Sequence, residues 1–162
     1  MRFYALDPGN DRTALTILDE NFKVIDHWHS SNQEIFDILF ENENAEDHLA
    51  IEWLQSYGQA VGQSVFMTCR WVGRFEIAWG DQENTYLYAR PSILSHITGG
   101  VRGKKKSAIR QSLILRFGGS KKGEPLHGLN EHERDAMAVG VYHLDGIKQG
   151  ADLTVDWARV AG

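Results

Sequence analysis

Three short runs of strand-forming residues lie within the first 29 positions, joined by links too short to hold a helix. Residues 2–7 (Arg-Phe-Tyr-Ala-Leu-Asp) stop at the turn Pro8-Gly9-Asn10. Residues 13–19 are rich in β-branched side chains, Glu20-Asn21 interrupts them, and residues 23–29 form a third run. Strands linked this tightly pair antiparallel, because a parallel pair needs a crossover of a dozen or more residues.

A different alternation follows. Ser31 and Glu34 have the spacing of a helix capping box, with Ile35, Ile38 and Leu39 at helical intervals behind them. His48 to Glu52 reads as a fourth strand. Residues 60–79 carry Val61, Val65, Cys69, Val72, Phe75 and Trp79 three or four apart, the period of a helix with one apolar face. Residues 84–90 predict a fifth strand, and Pro91 begins a short helix or turn. Residues 107–117 predict a helix closed by Gly118-Gly119, and residues 131–148 a last helix capped by Asn130. The expected class is α/β: a mixed five-stranded sheet, three antiparallel strands and then parallel ones, flanked by helices. A right-handed crossover sets the fourth strand parallel and close to the first, so Asp7 and Glu52 end side by side.

The 162 residues are expected to form a single domain, with 150–162 a tail. Cys69 is the one cysteine, which excludes an internal disulfide framework and a multi-cysteine zinc site. The N-terminus lacks the apolar stretch of a secretion signal, and no apolar run approaches the roughly 20 residues of a membrane helix. A cytoplasmic protein with no membrane partner is the expectation. The net charge of −5 conceals an asymmetry. Residues 1–60 hold twelve acids and three bases, whereas residues 102–122 hold eight bases and no acid. A cationic segment in an acidic chain suits a protein that holds a polyanion near a divalent-cation site. Arg102, Lys104, Lys105, Lys106, Arg110, Lys121 and Lys122 are therefore candidate nucleic-acid contacts.

Three short patterns carry candidate chemistry. Asp7-Pro8-Gly9 puts a carboxylate at a strand tip, with Gly9 leaving room for a phosphate. Glu52 ends an otherwise apolar strand. His132 and Asp135 lie three apart on one face of the last helix, near Ala136 and Gly140, whose small size would let that helix pack closely on the sheet. Each pattern has an ordinary explanation: a turn, a strand exit, acids at the positive end of a helix. Their convergence distinguishes them, since carboxylates and an imidazole gathered at strand ends suit Mg²⁺ or Mn²⁺. Two such ions ~3.5–4 Å apart clamp the attacking and leaving oxygens of a phosphodiester.

In this order and spacing, Ala5-Leu6-Asp7-Pro8-Gly9, Glu52, His132-x-x-Asp135-Ala136 and the basic segment Arg102-Gly103-Lys104-Lys105-Lys106-Ser107 resemble RuvC-type Holliday-junction resolvases. The resemblance covers about residues 1–145 and is greater to phage- and prophage-encoded relatives than to the housekeeping bacterial enzymes. It implies an RNase H-like fold and a homodimer built through helix 60–79. It also implies a metal-dependent endonuclease acting on branched DNA in the cytoplasm of a bacterium or phage-infected host. Asp7, Glu52 and Asp135 would hold the metal, two ions of Mg²⁺ or Mn²⁺ per site, with His132 a ligand or a positioner of water or phosphate. After Glu52, where the family carries an aromatic wedge for the junction, this chain offers Trp53 and Tyr57. Two other readings fit parts of the pattern: a branched-DNA-binding module of the same fold that does not cut, and half of an actin-like kinase, which this chain is too short to complete.

Overall fold

The computed structural model describes residues 1–42, 45–55, 58, 60–81, 83–100, 106–151 and 153. Among the described residues, five strands run β1 (Arg2–Asp7), β2 (Arg12–Asp19), β3 (Val24–Ser31), β4 (His48–Trp53) and β5 (Thr85–Ala89). The described helices are α1 (Asn32–Glu41), α2 (Gln63–Trp79), α3 (Arg90–Ile97), α4 (Lys106–Phe117) and α5 (Glu131–Lys148). The sheet order is β3-β2-β1-β4-β5. The first three strands pair antiparallel, and β4 and β5 continue the sheet in parallel with β1. This is the mixed sheet that the short early links and the later crossovers predict. No helix among the described residues is long and apolar enough to cross a membrane.

Successive side chains of a strand point to opposite faces, so each strand feeds two cores. Tyr4, Leu6, Leu15, Ile17, Leu49 and Ile51 pack beneath α1 and α2 with Ile35, Leu39, Phe75 and Trp79. Phe3, Ala5, Leu18, Ala50 and Tyr88 face α5 and the helices outside it. The same alternation settles where the charged strand ends point. Asp7 follows Phe3 and Ala5, and Glu52 follows Ala50, so both carboxylates emerge on the α5 face. Leu6 pairs with Ile51 in the parallel register, which makes Asp7 and Glu52 neighbours across two strand ends.

Helix α5 crosses this face close to the sheet. A Cβ on Gly140 would sit 2.8 Å from Leu18 Cδ1 and 3.0 Å from the Ala5 Cβ, and Ala136 is wholly buried. Thr16 on β2 donates its hydroxyl to the Glu133 carbonyl at 2.8 Å, fastening the helix start to the sheet. The Asn130 side chain accepts from the Glu133 N–H at 3.0 Å, and the Glu133 carboxylate accepts from the Asn130 N–H at 2.6 Å, a reciprocal cap.

Some local features depart from expectation. Ser31 caps α1, but the Glu34 carboxylate turns to the Ser30 hydroxyl, so only half of the capping box forms. Helix α2 begins at Gln63, behind Gly62, and leaves Val61 exposed outside the apolar stripe. Trp71 stacks on Phe75 and packs against the core, whereas Phe66 is exposed. His143 is buried and bonded to Tyr88 at 2.7 Å and His48 at 2.9 Å.

Gly140→Ala tests the close approach. The added methyl overpacks Leu18 and Ala5, costing about 1–3 kcal/mol, while helix propensity returns under about 1 kcal/mol. Urea unfolding is expected to show a net loss of roughly 1–2 kcal/mol; a gain would show that α5 lifts from the sheet without penalty.

Candidate active site

The turn after β1 is built first. Gly9 has no room for a side chain, because a Cβ there would collide with the Arg12 carbonyl oxygen. The turn itself therefore requires glycine, a different reason from the phosphate approach expected from sequence. Asn32 staples this turn to the start of α1: its side chain donates to the Gly9 carbonyl at 3.0 Å and accepts from the Thr13 hydroxyl at 2.7 Å. The fixed turn leaves Asp7 at the mouth of an open cleft of about 450 Å³ between Gly9, Arg12, His29 and His132.

From across the sheet, α5 presents His132 and Asp135 on one face. His132 Nδ1 lies 3.2 Å from Asp7 Oδ2. An ionised carboxylate only accepts, so this bond needs the hydrogen on Nδ1 and leaves Nε2 available. Glu52 and Asp135 are joined by a residue that sequence reasoning did not single out. Arg90 Nη1 donates to both Glu52 oxygens, at 3.0 and 2.9 Å, and Nη2 donates to Asp135 Oδ2 at 3.1 Å. The two carboxylate side chains are 7% exposed and the Arg90 side chain 40%. Asp7, Glu52, His132 and Asp135, which are distant in sequence, thus form one cluster around a guanidinium.

No family model matches the sequence, and no curated protein matches it. Solved structures do. A Thermus thermophilus RuvC structure superposes with a TM-score of 0.69 at 16% identity, covering 93% of this chain and 98% of that one. A T. thermophilus RuvC in complex with Holliday junction substrate superposes with a TM-score of 0.67 at 14% identity, covering 93% and 97%. The fold is that of RuvC. It is an RNase H-like arrangement of mixed sheet and helices.

Within this RuvC fold the electrostatics of the cluster are unusual. Burial pushes Glu52 up to about 7, against the opposing charge of Arg90, and Asp7 and Asp135 add to the rise. Burial raises Asp7 as well, Asp135 adds to it, and His132 and Arg90 pull the other way. Burial works against the Arg90 charge, but Glu52 and Asp135 outweigh it and hold the guanidinium above the ordinary arginine range. Three carboxylates, all oxygen donors beside an imidazole, fit a hard divalent cation by donor chemistry. Among the described residues, no three His, Cys, Asp or Glu side chains converge as tightly as a bound ion requires; Arg90 is interposed.

Several neighbours were not anticipated. His27 and His29 share the α5 side of β3. His27 Nδ1 lies 3.0 Å from Glu133 Oε1, and the His29 ring lies 4.7 Å from that of His132. The His-x-His alternation was the available signal, since residues two apart share a strand face. Beyond Asp135, Ser107, Arg110 and Arg134 line a second cleft of about 240 Å³. Burial and then Arg110 lower the Arg134 pKa.

Of the candidate DNA contacts, Arg110, Lys121 and Lys122 are exposed. Arg102, Lys104 and Lys105, and the side chain of Lys106, lie outside the described residues, as does Tyr57. Trp53, the other candidate wedge, packs against the core beneath α1 and α2. Arg116 is drawn inward to Asp145, at 2.6 and 2.7 Å.

The Glu52 shift has a defined sign. Its folded pKa lies above its unfolded value, so its contribution to stability is full at acid pH and is lost as pH rises through about 7. His29, His48 and His143 have lowered pKa values, each led by burial, and work in the opposite direction, adding stability as pH rises through the unfolded histidine range. The comparison with Glu52→Gln isolates the carboxylate. Between pH 5 and 8 the wild type should lose roughly 2–3 kcal/mol relative to Glu52→Gln in denaturant unfolding with EDTA; parallel curves would refute the raised pKa.

Proposed function

We propose that this chain is a divalent-metal-dependent endonuclease that hydrolyses phosphodiesters in branched DNA, four-way junctions foremost, and works as a homodimer. One observation carries the reading: Asp7 and Glu52 end adjacent parallel strands on the same face, and α5 brings His132 and Asp135 onto them. The RuvC fold and the junction bound by one of its solved relatives support the substrate class.

Asp7, Glu52 and Asp135, with His132, would hold two Mg²⁺ or Mn²⁺ ions. Bound there, such ions lower the pKa of water and stabilise charge on the phosphodiester. The rest belongs to this chain's own residues. Asp7 fixes the ring of His132 through Nδ1, so that Nε2 can ligate or take a proton from water. Arg110, Lys121 and Lys122 lie exposed for backbone phosphates, and Arg134 lines the cleft beside Asp135 with Arg110. These contacts hold the strand without reading its sequence.

Asp7→Asn removes one negative ligand while keeping the side-chain shape. Junction binding should persist within about threefold in gel shift with EDTA, and Mg²⁺-dependent cleavage of labelled four-way DNA should fall by at least about a thousandfold. Wild-type cleavage by both Asp7→Asn and Glu52→Gln would refute the site. Tight junction binding by a wild-type protein that never cuts, with either Mg²⁺ or Mn²⁺, would instead establish the non-cutting module.

Paired cuts on opposing strands of a two-fold junction call for two clusters related by symmetry. Helix α2 offers a matching surface. Phe66 and Ile77 are 62% and 77% exposed and eleven residues apart, about three turns, so they share one side of the helix. Gly73 lies between them with open space over its Cα. The proposed dimer buries this stripe against its copy. Phe66→Glu should convert a dimer into a folded monomer in sedimentation at micromolar concentration; a wild type that is monomeric with and without junction DNA overturns the assembly.

A further inference from the structure

We infer that Arg90 is an exchangeable internal counter-cation, which holds Glu52 and Asp135 together until a divalent ion takes over the same oxygens. The inference rests on the metal-site reading above and assigns a part to a residue which that reading leaves out.

The atoms make the argument. Arg90 bonds Glu52 Oε1, Glu52 Oε2 and Asp135 Oδ2, and these are oxygens that a hard cation would use. A guanidinium and a metal ion cannot hold the same lone pairs at once, so binding of one displaces the other. The need for a cation is visible in the packing: the Glu52 and Asp135 side chains, each 7% exposed, meet at one guanidinium, with Asp7 at the neighbouring strand end. Gathered without a positive partner, three such groups would repel or take up protons. Arg90 has the means to leave. It is the first residue of α3, two positions beyond Tyr88 on the same strand face, and its side chain is 40% exposed against 7% for its partners. Rotation of its long side chain alone carries the guanidinium to solvent. The exchange sets a threshold: a metal ion must outcompete a tethered positive charge before the site is loaded.

The sign of one measurement separates this role from that of a structural strut. Mn²⁺ binding is followed by the EPR signal of the free ion at pH 8.5, and thermal unfolding is followed with EDTA and with Mn²⁺. Arg90→Ala should bind Mn²⁺ about tenfold tighter than wild type, because a competing charge is gone. Its melting temperature in EDTA should fall by roughly 5 °C or more, and saturating Mn²⁺ should restore most of the loss. Arg90→Gln, which keeps hydrogen-bond donors and loses the charge, should also bind Mn²⁺ more tightly, and it serves if the alanine variant does not fold. Unchanged or weaker Mn²⁺ binding in a folded variant overturns the exchange and makes Arg90 a fixed support. Failure of both wild type and folded variants to bind Mn²⁺ overturns the metal site itself, and the exchange with it.

Discussion

Helix α5 can deliver two functional side chains to the sheet because, at Gly140, only a hydrogen faces the Ala5 methyl of β1. Gly140 faces Ala5 and Leu18, Ala136 is buried one turn earlier, and Ala50 continues the small-residue floor on β4. A bulkier residue at any of these places would raise the helix by ångströms, and His132 would lose its 3.2 Å contact with Asp7. Interiors are packed at crystal-like density, so such a shift would propagate to the cap at Asn130 and to the Thr16 bond that fixes the helix start. The geometry of the cluster is thus set by van der Waals contact some distance from any charge.

Once that contact is made, electrostatics becomes the difficulty. Glu52 and Asp135 are nearly buried, and burial, with Asp7 and Asp135 close by, raises the energy of ionised Glu52. Arg90 offsets this with a planar fork that spans two carboxylates at once, which an ammonium group could not do in the same way. The fold therefore holds its own positive charge inside an acidic cluster, with basic side chains such as Arg110 around it. The average charge of the chain describes neither region.

Much of this was legible in the residues. The short early links imposed the antiparallel meander, and alternation along β1 and β4 put Asp7 and Glu52 on one face. The spacing of His132 and Asp135, with Ala136 and Gly140 behind them, implied a helix laid closely on the sheet. Arg90 obeyed the same alternation with Tyr88, yet a strand-end arginine has many uses, and only its distances single it out. His27 and His29 were passed over because the partner they face, the start of α5, lies more than a hundred residues away. Trp71 stands next to Val72 at the edge of the apolar stripe, where one helical position separates inward from outward. Packing against Phe75 resolved that choice, leaving Phe66 outside.

Local chemistry determined which elements form, which strand ends carry carboxylates and which helix face carries His132 and Asp135, because periodicity, turns and caps act over a few residues. Tertiary structure alone decided that Arg90 would bridge Glu52 and Asp135, that Gly9 would serve its own turn, and that Glu52 would hold its proton to about pH 7. Those outcomes depend on burial and on distances between segments far apart in the chain, and a charge has no environment until the chain has folded around it.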